Sequence, residues 1–78
     1  MPVLSSLVGI FRVARAPAGK PVVRAGDRVE EGQVLAHVES MRLMNEVKAP
    51  QAGRLAEVLV EEGHPVEYGQ ALMVLDIA

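Results

Sequence analysis

One stretch of this chain is written twice. Residues 23–39 read VRAGDRVEEGQVLAHVE and residues 60–76 read VEEGHPVEYGQALMVLD. Shifted by 37 positions they coincide at Val23/Val60, Gly26/Gly63, Val29/Val66, Glu30/Glu67, Gly32/Gly69, Gln33/Gln70 and Leu35/Leu72. Val38/Leu75 and Glu39/Asp76 are similar pairs. A repeat this short cannot bury its own apolar face, so the two copies must pack on each other. That predicts a sandwich with a pseudo-twofold axis.

Each copy has a mechanical reading. A valine segment ends in a glycine turn (Gly26-Asp27, Gly63-His64), where glycine supplies a positive φ at little cost. A short valine-centred piece follows, then Gly-Gln, then an apolar strand, Val34–Val38 or Ala71–Ile77. No stretch has a 3.6-residue period, and Gly and Pro recur too often for a long helix. The expected fold class is therefore all-β. Outside the repeat, Val8–Ala14 reads as the first strand and residues 15–21 as a loop broken by two prolines and a glycine. Pro50–Gly53 reads as a turn and Arg54–Val60 as a strand. Aligning Gly9 with Gly53 makes the first half seven residues longer, and the excess falls in the 15–21 loop.

Seventy-eight residues allow one domain, which buries about 60% of its unfolded surface. Half the residues are hydrophobic, but only Phe11 and Tyr68 are aromatic, so the core must be aliphatic. Valine-rich segments favour strands. There is no cysteine, which excludes disulfides and thiolate chemistry and suits the cytoplasm. A net charge of −2 gives no reason to expect nucleic acid or an anionic membrane. No apolar run reaches the roughly 18 residues of a membrane span, and no basic segment precedes an apolar one as in a secretory signal.

Between the repeats lies the segment that carries chemistry. Residues 39–47 read Glu-Ser-Met-Arg-Leu-Met-Asn-Glu-Val. This run resembles the attachment hairpin of the biotinyl/lipoyl-attachment domains, whose usual biotin form is Glu-Ala-Met-Lys-Leu-Met-Asn-Glu-Ile. The likeness extends over about residues 5–77. Val8-Gly9-Ile10-Phe11 resembles the family's opening strand. Gly26–Val29 with Glu31–Leu35 resembles its central turn and strand, and Val60–Leu72 its closing segment. The loop at 15–21, with Ala16, Pro17, Ala18 and Gly19, resembles the protruding thumb of the biotin carboxyl carrier subunit of bacterial acetyl-CoA carboxylase. The resemblance implies a flattened β-sandwich, a barrel–sandwich hybrid of two four-stranded antiparallel sheets. It also implies a single domain over 1–78 with its attachment hairpin at 39–46.

The family carries biotin on the lysine of that motif, and here the position is Arg42. Attachment needs a neutral amine. Lysine has a pKa of about 10.4 and arginine a far higher one, so the neutral fraction at pH 7 is much lower for arginine. The delocalised guanidinium is also a poor nucleophile. Arg42 is thus expected to hold the turn without accepting biotin. Met-Arg is a poor pair for a two-residue hairpin, so turn chemistry alone does not explain it. Met41 reads as a contact for a ligase or a docked biotin, and Met44 as either that or core. Glu39, Ser40 and Leu43 complete the motif.

The other reactive side chains read more plainly. Glu39 and Glu46 have the look of paired carboxylates, but both fall in strands without pocket-forming loops. His37 reads as a strand residue and His64 as a turn residue. No cysteine or carboxylate cluster stands with them at metal-ligand spacing. Lys20 and Lys48 are the only lysines, and both read as solvated surface amines. No nucleophile–base pair suggests an enzyme.

The resemblance implies a carrier module rather than a catalyst, with a biotin carboxylase, a carboxyltransferase and a biotin protein ligase as partners and fatty-acid biosynthesis as the setting. The arginine raises a second reading, a docking module that carries nothing. A lipoyl-type carrier is weaker, because lipoyl hairpins centre on Asp-Lys-Ala. Family carrier subunits usually add an N-terminal segment and an Ala/Pro-rich linker for reach. A start at Met1 suggests either a free-standing small domain or a piece of a longer chain.

Overall fold

The computed structural model describes residues 1–13 and 22–77, and within them every regular element is a strand. Eight strands follow in order: β1 Pro2–Leu4, β2 Gly9–Arg12, β3 Arg28–Val29, β4 Val34–Ser40, β5 Leu43–Lys48, β6 Gly53–Val58, β7 Pro65–Val66 and β8 Ala71–Asp76. They form two four-stranded sheets, β1-β8-β6-β3 and β5-β4-β2-β7, and every pairing is antiparallel. Among the described residues no helix is long and apolar enough to cross a membrane.

The repeat reappears as matched hydrogen bonds. Gly26 N donates to Leu55 O at 2.7 Å and Leu55 N to Asp27 O at 2.8 Å. In the other half Gly63 N donates to Phe11 O at 2.8 Å and Phe11 N to His64 O at 2.9 Å. Gly32 N reaches Ala49 O as Gly69 N reaches Ser5 O, both at 2.8 Å. The paired glutamines have one local task. Gln33 Oε1 accepts from Glu30 N at 3.0 Å, and Gln70 Oε1 from Glu67 N at 2.9 Å. Each closes its own turn, which is why Gly-Gln recurs.

Two glycines outside the repeat obey the same symmetry. A Cβ on Gly9 would lie against the Glu39 carbonyl oxygen, and one on Gly53 against the Asp76 carbonyl oxygen. Gly9 and Gly53 are the aligned pair, as Glu39 and Asp76 are. Only glycine lets the strands approach this closely.

The core is aliphatic apart from Phe11, which is fully buried. Phe11, Leu35, Leu55, Leu72, Met73 and Leu75 are the largest fully buried side chains, with Val29, Val38 and Val66 between them. Each such side chain contributes about 1.5–3 kcal/mol by leaving water. Phe11 and Leu55 occupy matching places in the two halves.

Three expectations are corrected. The strand read as Val8–Ala14 is shorter, Gly9–Arg12, with Val8 exposed before it. It is also the second strand, because Pro2–Leu4 forms an edge strand against β8. Proline is tolerated there because an edge leaves one side of the backbone unpaired. The strand read as Arg54–Val60 runs Gly53–Val58, with Leu59 N still donating to Leu72 O of β8 at 2.9 Å just beyond its end. The thumb-like loop at 15–21 lies outside the described residues.

Candidate functional site

The sequence sets Met41 and Arg42 between two long runs of strand. β4 and β5 pair from Val34/Lys48 to Ser40/Leu43, leaving only Met41 and Arg42 to turn the chain. A two-residue hairpin whose twist matches its strands needs positive φ at both central residues. Met41 has φ 52° and Arg42 φ 68°, and they are the only non-glycine residues with positive φ among those described. A side chain there costs about 1–2 kcal/mol per residue. Strain of this kind collects at functional sites.

The side chains around the turn face solvent. Met41 is 93% exposed and Leu43 67%. Met44 is 40% exposed and so is not one of the buried core residues. Arg42 is exposed at the turn. Just below, Asn45 Nδ2 donates to Val38 O and Leu43 O, both at 3.2 Å, and so braces the hairpin across its two strands.

Glu39, at the base of the turn, is held from the neighbouring strand. Arg12 Nε donates to Glu39 Oε1 at 3.0 Å, and Arg12 Nη1 donates to Glu62 Oε2 at 2.9 Å. Glu62 Oε1 in turn accepts from Val13 N at 2.8 Å. One guanidinium thus ties the tip strand to the β6–β7 connection. The hydrogen bonds to Glu62 and then Glu39 raise the Arg12 pKa above its ordinary value. Partial desolvation pushes the Glu62 carboxyl up. The Arg12 hydrogen bond, the Val13 N–H and the Arg12 charge outweigh it and hold the carboxyl below its ordinary value. Sequence reasoning missed this network, because its members lie 27 and 50 residues apart and share no local pattern.

The remaining candidates are dispersed. His37 lies on β4 and is 5% exposed, and its Nδ1 has no hydrogen-bond partner among the described residues. It lines a shallow recess of about 460 Å³ with Met44, Asn45 and Glu46. His64 sits in the 61–64 turn, with Nε2 3.5 Å from Glu61. Glu39 and Glu46 do not form a pair: Glu39 bonds Arg12, and Glu46 lies 3.7 Å from Lys48 Nζ. Lys48 ends β5, at the opposite end of that strand from the turn, and Lys20 lies outside the described residues. Among the described residues no three His, Asp or Glu side chains converge as metal ligands.

An eight-stranded pseudo-twofold sandwich with a strained two-residue hairpin tip can now be set beside known proteins. The profile of the family described as "Biotin-requiring enzyme" matches residues 9–75. The chain belongs to that family. It is 46% identical over 91% of its length to the biotin carboxyl carrier protein of acetyl-CoA carboxylase from Nostoc sp., covering 39% of that protein. It is 47% identical over 90% of its length to the protein of the same description from Chlamydia muridarum, covering 43% of it. The chain therefore spans about two-fifths of these curated relatives. Among solved structures, the urea carboxylase of Kluyveromyces lactis superposes with a TM-score of 0.81 at 29% identity, over 97% of this chain and 6% of that one. The two curated relatives are described as carrier proteins and not as catalytic subunits.

The turn presents a guanidinium on Arg42, at the position where the family resemblance implies a lysine amine.

Proposed function

We propose that this domain is the carrier module of an acetyl-CoA carboxylase-type carboxylase, a carrier tip that Arg42 keeps from being loaded. Its partners on this reading are the proteins that handle such a tip: a biotin protein ligase, a biotin carboxylase and a carboxyltransferase. The observation that carries the reading is the turn itself. Met41 and Arg42 hold a costly left-handed backbone and point into solvent, with Glu39, Leu43 and Met44 of the motif around them. A turn required only to reverse the chain has cheaper solutions, Asn-Gly above all.

The test is intact mass. Incubated with a biotin protein ligase, biotin and ATP, the protein should keep its unmodified mass. Arg42→Lys should gain one biotinyl group, because lysine keeps the charge and supplies the nucleophile. The substitution is exposed, so stability should change by less than about 0.5 kcal/mol. An adduct on the unaltered protein would overturn the chemical argument. An unmodified Arg42→Lys, beside a known carrier labelled in the same tube, would show that loading is lost elsewhere as well. The non-carrying docking module would then be the better reading.

A further inference from the structure

The end of the fold remote from the tip carries a charge arrangement that strand pairing alone disfavours. β5 leads away from the tip from Leu43 to Lys48, and β6 opens shortly after at Gly53. β3 stands just before Val34, the end of β4 that is remote from the tip. There Arg28 on β3 lies directly opposite Arg54 on β6, and Arg54 lies opposite Asp76 on β8. Like charges directly opposite each other on two strands destabilise a sheet.

The pseudo-twofold shows that the fold does not need the two arginines. Arg28 matches Pro65 by the repeat, and Arg54 matches Ile10 by the alignment of Gly53 with Gly9. Ile10 and Pro65 are themselves partners, on β2 and β7. The same two places thus hold uncharged side chains in one sheet and two guanidiniums in the other.

Neither guanidinium is fully used within the chain. Arg54 Nη1 donates to Gly26 O at 2.7 Å, and among the described residues Arg54 forms no ion pair. Arg28 Nε donates to Glu30 Oε1 at 3.4 Å, a long bond between two largely exposed side chains. The Asp27 carboxylate is turned to Arg24 N, at 2.9 Å. A guanidinium carries several N–H donors in a rigid fork, so both keep donors for an oxygen from outside. Arg28, Arg54, Asp76, Gly53 and Ile77 line a recess of about 370 Å³. Gly53 has no side chain to close it, and Ile77 is 41% exposed and supplies an apolar wall. Two arginines and one aspartate leave the recess with a single positive charge. That charge matches one carboxylate better than a phosphate dianion.

We propose that this recess is a docking site for an acidic segment of a partner protein. One carboxylate of the segment sits between Arg28 and Arg54, and a neighbouring apolar side chain lies on Ile77. A partner held here leaves the Met41-Arg42 turn uncovered at the other end. The site goes beyond the carrier-module reading and does not rest on it, since no step of its test involves loading.

NMR titration of the isotope-labelled protein tests it, read at the Nε–H groups of Arg28 and Arg54 and the amides of Gly53 and Ile77. The probes are the peptide acetyl-Leu-Glu-Leu-amide, its Gln counterpart and inorganic phosphate. The Glu peptide should shift these groups saturably and bind at least about threefold more tightly than the Gln peptide, as for an exposed ion pair. Arg28→Gln and Arg54→Gln should each weaken its binding by a similar factor. Lys48→Gln removes a cation from the other sheet and should bind as the parent does. Spectral dispersion reports whether each variant is folded. If Arg54→Gln fails to fold for want of its bond to Gly26, the largely exposed Arg28→Gln decides. Equal binding of the two peptides overturns the site, and so does the absence of any shift at these groups. Equal weakening by Lys48→Gln overturns it as well, by reducing the effect to general charge. Tighter binding of phosphate than of the Glu peptide overturns the acidic segment as the occupant.

Discussion

The two halves of this molecule share a backbone and differ in what is built on it. Phe11 matches Leu55 in the core, and Gly9 matches Gly53 where the strands nearly touch. On the surface the match ends. The side of the β5-β4-β2-β7 sheet carries the Arg12–Glu39–Glu62 network. The corresponding positions on the other side are Ala56, Asp76 and Ala25, where that network cannot exist. The first half closes β4 onto β5 through the strained Met41-Arg42 turn. In the second half the strand matching β5 is β1, at the start of the chain. Met1 N donates to Leu75 O at 2.8 Å and Leu75 N to Met1 O at 2.8 Å, with no covalent turn joining β8 to β1. The fold is thus compatible with an open connection at this place. The tip turn and its bracing are additions to the fold, and they collect on one half.

The glycine pair tests the shared part most severely. Gly9→Ala and Gly53→Ala each drive a Cβ against a strand carbonyl, an overpacking that costs about 1–3 kcal/mol and sometimes more. The two should not be equal. At Gly9 the added carbon also meets Val38 Cγ1 at 2.7 Å, and Val38 is a buried core residue. At Gly53 it meets Ile77 Cδ1 at 3.1 Å, the far end of an exposed side chain that can turn away. Urea unfolding should place Gly9→Ala near the top of that range and Gly53→Ala lower. Equal costs would mean that side-chain crowding is irrelevant beside the carbonyl contact.

The tip tests what was added. Met41→Asn with Arg42→Gly gives the turn the residues its backbone favours. It should stabilise the domain by about 1–3 kcal/mol while removing Arg42 altogether. A gain measured by thermal or urea unfolding shows that stability is sacrificed at this turn. No gain would mean that the left-handed pair is relaxed by its surroundings, and that strain is no pointer to the site.

Much of this architecture was legible before any coordinates, for identifiable reasons. The repeat carries its own turn chemistry, Gly26, Gly32, Gly63 and Gly69, and all four adopt positive φ. Chain composition then leaves only an aliphatic sandwich. The motif at 39–47, through its family resemblance, placed the hairpin that turn propensity argued against. Other features were not legible. β1 has three residues and a proline, so nothing local marks it as a strand. Its partner β8 lies at the other end of the chain. Arg12, Glu39 and Glu62 meet only because sheet register and a crossover bring them together.

The smallest effect expected is the one that most sharply separates the two sheets, because the three-membered network among the described residues lies beside the β5-β4-β2-β7 sheet. Glu62 is held below its ordinary pKa, so its contribution to stability is present above the unfolded carboxyl value, about 4.3. That contribution should fade as pH falls through the lower folded value. Arg12 is raised above an already high value and stays charged throughout this window. The Glu62 side chain is 39% exposed and that of Arg12 32%, so solvent screens the pair. A double-mutant cycle with Arg12→Gln and Glu62→Gln should give a small favourable coupling at pH 7, as for a solvent-screened pair. The coupling should shrink toward zero in acid below the folded Glu62 value. High salt at pH 7 should reduce it as well. The control is Arg54 and Asp76, cross-strand neighbours near the same level of the other sheet. Arg54 Nη1 donates to the Gly26 carbonyl at 2.7 Å and forms no ion pair with Asp76 among the described residues. That cycle should show no coupling at either pH. If both cycles titrate alike, the network around Glu39 is ordinary surface charge, and the bracing of the tip strand comes from the backbone and Asn45 alone.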